Sequence, residues 1–217
     1  MRKKKSNQFE FTKVGWKINE DTGNNPLPSY DLAFLLAPNI PIPNQEGNSI
    51  ATLVSTLAEE MDFKSLIFST ESSSKRQKPH PAQKFDIAYY QKDIKPSILD
   101  KGKIFPLIRQ YLITPISLSW RNYARDAANA AILLGVKCLV VEDVADFGWA
   151  VRKVRKHGIS VILHQHAFTQ RNYQTYQWKR IERNLDEIIF VSQKTLISTE
   201  KKTWAAKNSS KSNLQRG

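Results

Sequence analysis

Apolar positions along this chain gather in short continuous runs, separated by stretches with helical spacing. Residues 30–36, 64–69, 85–90, 138–141, 160–163 and 188–191 have the length and Val/Ile/Leu/Phe content of buried strands, the third of them the weakest. Between the first two, Ile50, Leu53, Val54 and Leu57 share a helical stripe that runs to Met61, with Ser49 placed as its N-cap. Tyr123, Ala127, Ala130, Ala131 and Leu134 form a second stripe over 119–134, and Gly135 follows where a left-handed C′ residue belongs. The same spacing predicts helices over 144–156 and 170–185, and a last one from Ser192 to about 204.

Strands that alternate with helices and are apolar throughout predict a parallel sheet covered on both faces. Right-handed crossovers then give an α/β fold, a doubly wound, mostly parallel Rossmann-like sheet over residues 29–204. Residues 1–28 carry a Lys run, Gly23, Pro26 and Pro28 and read as a basic, poorly ordered leader, and 205–217 as a polar tail. Residues 104–120 are apolar but broken by Pro106, Arg109 and Pro115; they fit a helix over the sheet or an amphipathic patch against a membrane.

Composition narrows the class. With 217 residues, 41% hydrophobic and 24% charged, the chain can bury a core without disulfides or metals. The single cysteine, Cys138, precludes an internal disulfide and a Cys-rich zinc site; set beside Leu139, Val140 and Val141, it reads as a small buried hydrophobe in a reducing compartment. Lys and Arg outnumber Asp and Glu 33 to 20, a net charge of +13, which favours anionic partners: nucleic acid, acidic lipid or phosphorylated small molecules. No run of 18 apolar residues occurs, and the basic N-terminus leads into polar Ser6-Asn7-Gln8. The expected location is therefore cytoplasmic, with peripheral contact to acidic membrane lipids.

In doubly wound sheets ligands sit beyond the carboxyl ends of the strands, so the residues there are the candidates for chemistry. Asn44-Gln45-Glu46-Gly47-Asn48-Ser49 leads from a strand into a helix, where free N–H groups favour a phosphate and Gly47 admits close backbone approach; a plain turn with an N-cap fits equally. Neither GxGxxG nor GxxxxGK[ST] is present. Glu142-Asp143 ends a strand: Glu142 can face the crevice and bond sugar hydroxyls, and Asp143 can cap the next helix. His164 and His166 project from one side of the following strand and hold half of the four histidines; as ligand-binding imidazoles they are apt, and as a metal pair they lack a third ligand nearby in sequence. Residues 171–183 interleave Arg171, Lys179, Arg180 and Arg183 with Tyr173, Tyr176 and Trp178, which suits either base stacking or aromatics packed inward under solvated arginines.

Taken in order, Gln45-Glu46-Gly47-Asn48, Leu139-Val140-Val141-Glu142-Asp143, His164-Gln165-His166 and Asp186 to Ser192 resemble the N-terminal domain of a family 4 glycosyltransferase of the GT-B architecture, over about residues 30 to 200. The resemblance implies transfer of a sugar from a nucleotide-diphosphate donor to a hydroxyl acceptor, with no cofactor and normally no bound metal. It puts Gly47 and Asn48 beside the donor phosphates and gives His166 the catalytic position at the transferred sugar. Glu142 and His164 then line the same crevice, and Ser192 opens the helix toward the domain hinge. In two places the chain departs from the family pattern: Glu46-Gly47 replaces a common Gly pair, and Ala167 stands where an acidic residue often follows the histidine. The chain also ends at Gly217, too soon after Ser192 for the family's second, donor-binding domain. The resemblance thus implies an acceptor-side half, inactive or weak alone, that would need a partner chain supplying that domain. A nucleic-acid-binding module and a non-catalytic α/β interaction protein are the other classes that the charge and the fold admit.

Overall fold

The computed structural model describes residues 14–18, 28–42, 47–71, 83–94, 116–166 and 175–192. They form one seven-stranded sheet with helices on both faces: β1 (Trp16–Ile18), β2 (Leu32–Leu35), α1 (Ser49–Glu60), β3 (Ser65–Thr70), β4 (Phe85–Tyr90), α2 (Leu118–Leu133), β5 (Cys138–Glu142), α3 (Ala145–Ala150), a 3₁₀ turn (Arg152–His157), β6 (Ser160–Gln165), α4 (Thr175–Glu182) and β7 (Glu187–Phe190). The strand order is β1-β4-β3-β2-β5-β6-β7. Strands β2 to β7 all run parallel, and β1 adds an antiparallel edge on β4.

The chain enters the parallel sheet at β2, winds outward through β3 to β4, crosses back, and winds the other way from β5 to β7. Direction of winding therefore reverses between β2 and β5. This is the switch point of a doubly wound sheet, where the connections leaving neighbouring strands part and open a crevice. The connection after β2 leans toward β3: Ile42 N donates to Ser69 Oγ (3.1 Å), and Thr70 Oγ1 donates to the Pro38 carbonyl (2.8 Å).

Strand alternation sorts the core into two layers. Ala33, Leu35, Leu66, Phe68, Leu139, Val141, Val161 and Leu163 face α2, α3, the 3₁₀ turn and α4. Phe34, Ile67, Ile87 and Val140 face α1, which buries Ala51, Val54 and Ala58 against them. The α2 helix can lie close to the sheet because its inner stripe is mostly alanine: Ala124, Ala127, Ala128, Ala130 and Ala131 are fully buried. On the outer layer, Trp149 of α3 has the guanidinium groups of Arg121, Arg152 and Arg180 at 3.8, 4.6 and 4.7 Å from its ring centre, so one indole ties together α2, α3, the 3₁₀ turn and α4.

Several expectations change. Within residues 1–28, expected as a poorly ordered leader, Trp16–Ile18 forms β1, and Trp16 is wholly buried. A three-residue strand is too short to show as an apolar run, and its stability comes from Phe68, Tyr90 and Tyr123, whose rings lie 4.7 to 5.1 Å from the indole. Asn48 rather than Ser49 caps α1, its Oδ1 accepting from the N–H groups of Ile50 (3.0 Å) and Ala51 (3.2 Å). The single helix expected over 144–156 is α3 followed by the 3₁₀ turn; Val151 and Val154, three apart and both buried, suit a three-residue repeat. Cys138 is half-buried rather than buried, and burial, with Asp186 and Glu187 nearby, pushes its thiol pKa up and keeps it neutral. Residues 104–115, the helix after Ser192 and the tail over 205–217 lie outside the described residues. No helix among the described residues is long and apolar enough to cross a membrane.

Candidate functional site

Along the α1-facing side, Cys138 and Val140 of β5 are followed at the next inward position by Glu142, and Ile162 of β6 by His164. The parallel register sets Glu142 directly beside His164. His166, two residues on, continues the same row beyond the end of β6. Three polar side chains thus sit where an apolar stripe reaches the carboxyl edge of the sheet, on the strand that flanks the switch point and on its outer neighbour.

The geometry is tight. Glu142 Oε2 lies 2.7 Å from His166 Nε2 and 3.1 Å from His164 Nδ1, and Oε1 lies 3.3 Å from the same Nδ1. The two imidazole centres are 4.3 Å apart. The Glu142 side chain is 0% exposed, and those of His164 and His166 are 13% and 14% exposed. Burial on its own would raise the Glu142 pKa, yet the hydrogen bonds from His164 and His166 outweigh it and hold the carboxyl below its ordinary range. The hydrogen bond to Glu142 raises the His164 pKa against the opposing cost of burial. The site therefore keeps a buried carboxylate ionised by surrounding it with imidazoles.

Asp143 does not cap α3, whose N-terminus has no side-chain cap. Its Oδ1 instead accepts from the His166 backbone N–H (3.0 Å) and from Gln165 Nε2 (2.8 Å), and its own N–H donates to the His164 carbonyl (2.9 Å). To do so it takes a left-handed conformation, φ +58°. Asp143 thereby pins the segment bearing both histidines to the end of β5. An acidic residue just before a helix usually caps it, and the position of Asp143 in the sequence predicts that role. The available signal for its actual role was the pairing of consecutive parallel strands, which puts the residue after β5 next to the end of β6.

The other candidates fall on other elements of the fold. Gly47 has φ +72° and open space about it, so its need is backbone conformation; Asn44, Gln45 and Glu46 lie outside the described residues. Asn48 spends its side-chain oxygen on the α1 cap. Ser192 is exposed just past β7. Asp186 serves the opposite edge of the sheet, accepting from Val161 N–H (2.8 Å) and pairing with Arg155 (2.6 Å). In the aromatic and basic stretch, Trp178 and Ile181 pack inward while Tyr176 is exposed, and residues 171–174 lie outside the described residues. A cleft of about 510 Å³ beside the end of β4, lined by Tyr90, Lys92, Asn122 and Asp126, holds no comparable chemistry: Asp126 is already bound by Tyr90 and Lys92, both at 2.8 Å.

In comparisons with known proteins, no family model matches this chain, and neither a curated protein nor a solved structure matches it significantly. The functional reading therefore rests on the site itself. Glu142, His164 and His166 can orient a hydroxyl or phosphate oxygen through an imidazole, exchange a proton there, or offer three ligand atoms to a cation.

Proposed function

We propose that this chain is the acceptor-side, N-terminal domain of a GT-B glycosyltransferase, which moves a sugar from a nucleotide-diphosphate donor to a hydroxyl acceptor. The observation that carries the reading is the placing of the Glu142–His164–His166 cluster at the carboxyl edge of β5 and β6, beside the reversal of winding, where doubly wound sheets bind ligands. Gly47 belongs to the same rim because it lies on the connection leaving β2, which is parallel to β6.

In this reading the α1 N-terminus and Gly47 border the donor phosphates. His166, its Nε2 fixed by Glu142, meets the transferred sugar, and Ser192 opens the helix toward the domain hinge. A carboxylate that fixes an imidazole holds it in one orientation, which lowers the cost of aligning it with a reacting hydroxyl. In this reading the donor also needs contacts from a second domain, so residues 29–204 of this chain on their own bind it weakly and turn it over slowly. Its location in this reading is cytoplasmic, and acidic lipid drawn by the net charge of +13 brings it to a membrane surface.

Titration of the full chain with UDP- and GDP-sugars, by calorimetry and ligand-observed NMR, tests this. Weak saturable binding of one donor class is expected, lost in His166→Ala with the fold retained. No donor binding in the wild type, or equal binding in the variant, overturns it. Steeply salt-dependent binding of random oligonucleotides without any donor binding would point instead to a nucleic-acid-binding module, which the charge also suits.

A further inference from the structure

The same three side chains carry a second chemistry that hydrogen bonding to a sugar does not use. We propose that Glu142, His164 and His166 form a binding site for a divalent transition metal, with zinc the ion that suits their donor set best. One carboxylate oxygen and two imidazole nitrogens converge so that all three lie within 4.8 Å of one another. Around a tetrahedral zinc with bonds of about 2.0–2.1 Å, ligand atoms stand about 3.3 Å apart. To admit the ion, the observed 2.7 Å and 3.1 Å contacts of Glu142 Oε2 open by roughly 0.6 Å and 0.2 Å, and the two imidazole nitrogens, within 4.8 Å of each other, settle at the same spacing by side-chain rotation.

The donor set selects the metal. Two imidazoles with one carboxylate suit zinc and its first-row neighbours, whereas magnesium and calcium take oxygen ligands almost exclusively. No thiolate joins the three, so the set is not that of a closed structural site. Among the described residues the set has three ligands, which leaves a coordination position for water or for a phosphate or hydroxyl oxygen.

The frame is suited to holding an ion. Glu142 and His164 are register partners on adjacent parallel strands, and His166 is held by the hydrogen bond from its backbone N–H to Asp143. Ligands mounted on a sheet start close to their final positions, which keeps the ordering cost of binding small. With Glu142 buried and the histidines only slightly open, the ion would displace few waters from its ligands and still reach the crevice.

The inference goes beyond the transferase reading and does not rest on it. It is tested on the full chain, stripped with a chelator, freed of it, and titrated with zinc alone, then with cobalt(II) for its visible absorption. One zinc per chain is expected, with cobalt bands of four- or five-coordinate intensity, and with magnesium and calcium failing to compete. His164→Ala, His166→Ala and Glu142→Gln should each weaken zinc binding by at least about 100-fold, since losing even an outer-shell partner of a ligand costs about 10- to 100-fold. His157→Ala, an exposed histidine away from the cluster, should leave it unchanged. If the variants do not fold, imidazole ¹⁵N shifts of the folded wild type on zinc addition decide the matter: two histidines should move together. No saturable zinc, or affinity unchanged in the folded His variants, overturns the site. Because no nucleotide is present, failure here leaves the donor titration untouched, and failure of the donor titration leaves the metal result standing.

Discussion

Asp143 does at residue scale what no neighbouring residue could do. A left-handed backbone costs an L-residue roughly 1–2 kcal/mol, and Asp tolerates it better than most. Here φ +58° aims Oδ1 at the His166 N–H and the Gln165 amide together. Asp143→Ala should lose both bonds and keep the strain, for a cost of about 2–3 kcal/mol in urea unfolding. Asp143→Gly loses the same bonds without the strain and should be about 1 kcal/mol milder. Equal losses in the two variants would mean that the backbone is not strained there. Glu142, by contrast, was legible as a crevice residue from its place at a strand end. Its pairing with both histidines was not, because 22 and 24 residues separate it from them.

At the scale of elements, local signals worked where local chemistry decides and failed by one position where two residues could do the same job. Asn48 and Ser49 are both good caps, and only the geometry of the turn chooses Asn48. Asn48→Ala should cost about 1 kcal/mol, and Ser49→Ala only a few tenths, by thermal unfolding followed by circular dichroism. A larger effect at Ser49 would reassign the cap. Strand β1 is a stronger case. Trp16 and Ile18 both favour strands, but three residues are too few to mark one in the sequence, and Trp16 holds them by filling a space between Phe68, Tyr90 and Tyr123. Trp16→Ala should lose about 3–5 kcal/mol, the range for large aromatic truncations in a core. Were residues 1–28 only a leader, the change would be near neutral. Lys17→Ala, on the exposed face of the same strand, should stay within about 0.5 kcal/mol.

For the whole molecule, the buried cluster gives stability a characteristic pH profile when no metal is bound. The His164 pKa is raised in the folded state, so its contribution is full below the ordinary imidazole value of 6.5 and fades as pH rises through the folded value. The Glu142 pKa is lowered, so its contribution is full above the ordinary 4.5 and is lost as pH falls through the folded value. In chelator, stability from this cluster should therefore peak between roughly pH 4.5 and 6.5 and decline on both sides. Glu142→Gln should flatten both arms in urea unfolding, and an unchanged profile would show that the cluster is not coupled to folding.

The alternation of apolar runs and helical stripes determined by itself that this is an α/β chain, built on parallel strands with helices on both faces. Periodicity and burial are local properties, and a residue carries them wherever its strand ends up. It also placed Glu142, His164 and His166 at strand ends, since an apolar run that stops in polar residues marks the sheet's edge. Tertiary structure alone decided that β5 and β6 lie in a register that sets Glu142 beside His164, that Asp143 bridges the two strands, and that Trp16 draws a segment of the N-terminus into the sheet. Those outcomes depend on which residues become neighbours across more than twenty positions of chain. Their energies arise only when distant groups meet, so no window of the sequence contains them.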